Sequence, residues 1–116
     1  MMTKINKIGL FILFISGIGI ISAQEKPRVF VLTDIENEPD DAMSMVRFLV
    51  YANNYYIEGL AATTSIHQQT EIATWRIKEI VEAYSKVRNN LEKHESGFPT
   101  GDYLKSIIKG ITQSLG

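Results

Sequence analysis

The stretch that decides the fold is Arg28-Val-Phe-Val-Leu-Thr33, followed at once by Asp34-Ile-Glu-Asn-Glu-Pro39-Asp40-Asp41. The first six residues are rich in β-branched and aromatic side chains, and their apolar residues are continuous rather than alternating. That pattern belongs to a strand covered on both faces, as in a parallel sheet. Pro39 suits the first turn of a helix, where its missing N–H leaves nothing unpaired. From Asp40 onward the apolar positions Ala42, Met45, Val46, Leu49 and Val50 keep helical spacing until Asn53-Asn54. The stretch is therefore a strand, an acidic loop and a helix.

Downstream, Tyr56 to Thr64 reads as a second strand with Gly59 inside it, and Ser65 to Gln69 as a polar loop. A long helix is expected over Thr70 to about Lys93, on the stripe Ala73, Ile77, Ile80, Val81, Tyr84, Val87 and Leu91. Ser96 to Gly101 reads as a turn. A third helix is expected over Asp102 to Leu115, on Leu104, Ile107, Ile108, Ile111 and Leu115. The class is α/β in the order β-α-β-α-α, the start of a parallel sheet. Two parallel strands do not complete a sheet, and strands this apolar expect further cover and neighbours. The order thus reads as the incomplete opening of a larger domain, and the end at Gly116 as a truncation or fragment.

Upstream, Lys4 and Lys7 precede an uncharged run from Ile8 to Ile21, then Ser22-Ala23 and polar Gln24-Glu25-Lys26-Pro27. A basic start, an apolar run of this length and a small-residue end make a secretory signal peptide. Residues 1–23 are read as that signal, cleaved after about Ala23, and 24–116 as the domain, secreted or periplasmic. An uncleaved anchor fits poorly, because spanning a bilayer takes about 20 apolar residues. Losing Lys4 and Lys7 leaves 10 basic against 13 acidic residues, a charge of −3. This balance gives no electrostatic case for nucleic acid. Apolar residues at 45% and charged residues at 22% exclude a disordered chain, and the absence of cysteine excludes a disulfide scaffold.

Five of the eight residues from Asp34 to Asp41 are acidic: Asp34, Glu36, Glu38, Asp40 and Asp41. They lie between a strand's carboxyl end and a helix's amino end, the edge where open parallel sheets bind ligands. A helix amino terminus favours negative charge by about 0.3–1 kcal/mol per group, too little for so many carboxylates. A hard divalent cation would offset them, and Ca²⁺ takes six to eight oxygens, commonly from Asp and Glu. A carboxylate beside such a cation can also orient and deprotonate water. A helix–loop–helix calcium loop is excluded, since its sixth and twelfth positions hold Pro39 and Met45 rather than Gly and Glu. The segment contains no Gly, so it is not a phosphate-cradling loop. Two readings stay open beside the metal site: a phosphohydrolase with Asp34 as nucleophile, although Glu36 stands where a second Asp is usual, and a solvated loop with Asp40 and Asp41 capping the helix.

The segment Val31 to Ser44, with its Asn37-Glu-Pro-Asp-Asp41 core, resembles the amino-terminal motif of nucleoside hydrolase-like proteins. It is most similar to a secreted bacterial subgroup often labelled cellulose-binding. Ile57 to Ser65 and Phe98 to Leu104 resemble the same subgroup, so the likeness spans about residues 27 to 108. The resemblance implies a Rossmann-like sheet and a Ca²⁺-dependent N-glycosidase site. Carried over, Asp34 and Asp41 are metal ligands and Asp40 is the general base, while the substrate is a small nucleoside or glycoside. Asn37 and Glu38 are candidate substrate contacts. So is His67, which stands near where the family places a sugar-contacting Asn. Glu36, Asn37 and Glu38 lengthen the gap that true nucleoside hydrolases keep between the first Asp and the pair. The family's remaining calcium ligands lie beyond residue 116, so the chain alone is expected to be inactive. A non-catalytic binder of polysaccharide such as cellulose is the competing reading.

Other conspicuous residues carry blander expectations. Thr63 and Thr64 suit β geometry. Trp75 is expected to pack against the sheet, and His94 to be solvated near a helix end, where positive charge is favoured.

Overall fold

Arg28–Thr33 forms strand β1 and Pro39–Val50 forms helix α1, with Pro39 in the opening turn and Asp40 and Asp41 in the positive first turn. A single 3-10 turn, Ala52–Asn54, leads into β2, Tyr56–Thr63. Helix α2 spans Thr74–His94, α3 spans Gly101–Ser106, and β3 spans Ile108–Ile111. This computed structural model describes residues 24–66 and 70–112. The proposed signal peptide, His67 and Leu115 lie outside the described residues. No helix among the described residues is long and apolar enough to cross a membrane.

The strands form one parallel sheet in the order β1-β2-β3. Val31 pairs with Leu60 and Leu60 with Ile108, so these three side chains share a face. Right-handed crossovers that step twice in the same direction place their helices on one side of a sheet. The burial agrees. Leu60 and Ala62 belong to one buried cluster with Met45, Leu49, Ile77, Val81 and Leu104, and Val31 and Ile108 pack on it. On the other face Phe30 and Leu32 are 54% and 62% exposed. The continuous apolar character of β1 promised cover on both faces; Phe30 and Leu32 lack it on the second face, although Ala61, paired with Leu32 there, is buried.

The expected third helix is corrected. The chain is helical only to Ser106 and then extends as β3 beside β2. Leu104, Ile107, Ile108 and Ile111 do fit a helical period, but the open edge of β2 offers backbone partners, and Leu60 N–H donates to Ile107 O at 3.1 Å. Gly110 interrupts the run with a poor helix former. A Cβ there would come within 2.9 Å of Ile72 Cγ2, so the glycine lets β3 pass under the start of α2. Helix α2 starts at Thr74 rather than Thr70. The turn before α3 is pinned by Tyr84, whose hydroxyl donates to Pro99 O at 2.7 Å. Burial pushes that hydroxyl up to about 12, so it remains a donor.

Candidate functional site

The acidic loop leaves the carboxyl end of β1, beside the carboxyl end of β2. Ile35, 1% exposed, anchors it in the core. Asn37 N–H donates to Asp34 O at 3.0 Å, closing a four-residue turn. Glu36 occupies the third place of that turn with φ +78°, a left-handed conformation that usually calls for Gly or Asn. A glutamate held there needs support, and Arg76 supplies it from the first turn of α2. The guanidinium Nε donates to Glu36 Oε1, and Nη2 donates to Oε2 at 3.1 Å. The fork matches both carboxylate oxygens. Hydrogen bonding to Arg76 holds the Glu36 carboxyl below the usual carboxylate range.

Arg76 is itself held in place. Its guanidinium lies over the Trp75 ring, 4.7 Å from the centroid, and Nη1 donates to Glu79 Oε2 at 2.8 Å. The Trp75 indole N–H donates to Glu71 Oε1 at 3.2 Å. Trp75 is 44% exposed, so the expectation that it packs against the sheet is wrong: its ring serves as a platform for Arg76. Composition gave no hint of the Arg76–Glu36 link. The available signal was an arginine one turn into the helix that follows β2, at the same sheet edge as five carboxylates.

The remaining predicted residues fall in one loop and one helix start but do not converge. Asp41 Oδ2 accepts from Glu38 N–H at 3.2 Å, which makes it a helix cap. Asp41 also lines a cleft of about 260 Å³ with Thr33, Ser44, Met45 and Phe48. Asp34 and Asn37 are half-buried, whereas Glu38 and Asp40 are exposed. Among the described residues no side-chain hydrogen bond or ion pair engages Asp34 or Asp40. No three His, Cys, Asp or Glu side chains come together to hold a metal ion among the described residues. The carboxylates are the right donor type for calcium, but these residues alone do not make a calcium cage.

The ion pair gives a testable property of the loop. Because the folded Glu36 value is lowered, the pair contributes fully above the unfolded carboxylate pKa, near 4.3, and is lost as pH falls through the folded value. Arg76→Met is expected to speed amide exchange across residues 35–38 at neutral pH, and Glu36→Gly to relieve the backbone strain and restore part of the protection. In the unsubstituted chain the same amides should loosen on acidification. Hydrogen exchange read residue by residue checks all three.

Residues 28–116 match the profile of a family described as cellulose-binding Sde182, nucleoside hydrolase-like domain. Among solved structures the chain is similar to a nucleoside hydrolase-related hypothetical protein from Saccharophagus degradans that is associated with carbohydrate metabolism. The two are 43% identical with a TM-score of 0.69, and the match covers 72% of this chain and 20% of that one. This chain therefore spans about a fifth of that protein's length. A search of curated proteins finds no match.

Proposed function

Given that the chain belongs to the cellulose-binding Sde182, nucleoside hydrolase-like domain family, we propose that its acidic loop is the amino-terminal part of a site that hydrolyses N-glycosides. The observation that carries this reading is the position of Asp40. It is an exposed carboxylate in the first turn of α1, with no hydrogen bond or ion pair among the described residues, at the sheet edge where such folds bind ligands. Asp40 takes a proton from water, the resulting hydroxyl bonds to the anomeric carbon, and the carbon–nitrogen bond breaks as the leaving nitrogen takes a proton from solvent; Asp40 then returns its proton to solvent. Export with cleavage after about Ala23 belongs to the same proposal.

Asp34 and Asp41 are proposed as calcium carboxylates, and Asn37, Glu38 and His67 as substrate contacts. No third ligating side chain joins the two aspartates among the described residues, so the reaction is written on the chain's own groups and no step runs through the ion. The substrate class is a small nucleoside or a related glycoside.

A second reading has its own support. The matching family carries cellulose-binding in its description, and the similar structure belongs to a protein associated with carbohydrate metabolism. On this reading the domain binds polysaccharide without cleaving it. The two are separated by incubating a full-length protein that carries this domain with purine and pyrimidine nucleosides and, separately, with insoluble cellulose. Free base is the expected product under the hydrolytic reading. Depletion onto cellulose with no base released would replace it with the binding reading.

A further inference from the structure

A second concavity lies at the opposite end of the sheet from the acidic loop, where the strands begin. Its volume is about 380 Å³, inside the range of roughly 300–1,000 Å³ typical of small-ligand sites. Its walls come from the starts of β1 and β2, the turn before α3, and α3 itself. We propose that this cavity is a saccharide-binding site, which takes a pyranose ring of a neutral oligosaccharide; the proposal rests on the polysaccharide-binding reading above and is independent of Asp40.

The chemistry of the walls carries the inference. A pyranose presents a flat C–H face and a rim of hydroxyls, so it suits an exposed aromatic ring flanked by paired charges. Tyr56 and Tyr103 are 57% and 44% exposed, and both line the cavity. The Tyr103 ring is held at its polar end, and the Tyr56 ring has a cation beside it. The Tyr103 hydroxyl donates to Ile57 O at 2.6 Å, and the Lys26 ammonium sits 5.8 Å from the centroid of the Tyr56 ring. An aromatic ring with a fixed polar end is a low-entropy contact surface for a partly polar ligand.

Arg28 and Glu58 supply the rim. Arg28 Nε donates to Glu58 Oε1 at 2.6 Å, and both residues line the cavity. The pair offers N–H donors and carboxylate acceptors, the complement of sugar hydroxyls, and its charges cancel. Lys26 is then the one unbalanced cation among the described lining residues. With a single uncompensated cation in the lining, the cavity suits a neutral ligand better than a multiply charged one. The backbone helps to keep the mouth open: Gly97 has φ +99°, and a Cβ there would come within 2.8 Å of Lys26 Nζ.

The test titrates cellotetraose by calorimetry into a full-length protein that carries this domain, with base release from inosine measured on the same samples. Tyr56→Ala and Tyr103→Ala are each expected to weaken cellotetraose binding by about tenfold, the size of one lost aromatic contact. Tyr103→Phe keeps the ring and should keep most of the affinity. Tyr56 is exposed, so Tyr56→Ala decides the matter even if Tyr103→Ala fails to fold. Equal binding by all variants, or binding by none of the chains, overturns the proposal. Inosine cleavage is expected to be the same in Tyr56→Ala as in the unsubstituted chain. Absence of cleavage in every chain would defeat the hydrolytic reading alone and leave the saccharide result standing.

Discussion

In a full-length protein that carries this domain, Asp40→Asn is expected to cut N-glycoside turnover by about 10²–10⁴-fold, the usual contribution of a positioned general base. The side chain keeps its size and loses its negative charge and its ability to take a proton. Asp40 is exposed and makes no hydrogen bond or ion pair among the described residues, so stability should fall by no more than the helix-end charge contributes, about 0.3–1 kcal/mol. The loss should fall on kcat with KM nearly unchanged, because a base acts on the reacting water rather than on the bound sugar. Asp41→Asn is the informative contrast. Asp41 accepts from Glu38 N–H at the start of α1, so that change weakens a helix cap and should lower stability as well as turnover. An Asp40→Asn chain that turns over at the original rate removes Asp40 from the mechanism.

Where a single local signal and the tertiary environment agree, the sequence was readable. Arg28–Thr33 is β-rich, Pro39 marks a helix start, and Met45 and Leu49 share one helical face; each expectation reappears at its expected place. The segment from Ile107 to Ile111 shows the opposite case. Its apolar residues satisfy a helical period, yet the unpaired edge of β2 takes it as a strand, and that edge exists only after folding. Trp75 departs from its expected place for a related reason. Its neighbours Ile72 and Ile77 are inward-facing, but the ring stands outside and carries Arg76.

The candidate site was legible as a location and not as a geometry. Charge density at a strand–helix junction was enough to find the loop. Which carboxylate is free and which is committed depends on partners distant in sequence. Glu36 is engaged by Arg76, forty residues away, and it adopts a left-handed backbone that a glutamate does not advertise. Asp41 is engaged by the helix it begins. The five carboxylates thus divide into tied and untied groups by contacts that no spacing rule encodes.

The one-sided sheet sets the second large expectation. Leu60 is fully buried on the central strand, paired with Val31 and Ile108 beneath the helices. Leu60→Ala removes buried methyl groups and leaves a cavity between strand and helices that close packing cannot easily refill, a loss of about 2–5 kcal/mol. Against a total stability of about 5–15 kcal/mol for an ordinary domain, that is a large fraction. Leu32→Ala makes the same chemical change on the opposite face, where the side chain is 62% exposed, and should shift stability by no more than about 0.5 kcal/mol. Urea unfolding of the two variants measures the difference directly, provided the m-value is unchanged. If Leu32→Ala costs as much as Leu60→Ala, the Phe30–Leu32 face is covered in the folded protein, and the helix side is not the sole core. If the costs differ as expected, the stabilising core is the cluster between the sheet and its helices, and it anchors the acidic loop through Ile35 while Arg76 ties the loop to α2 through Glu36.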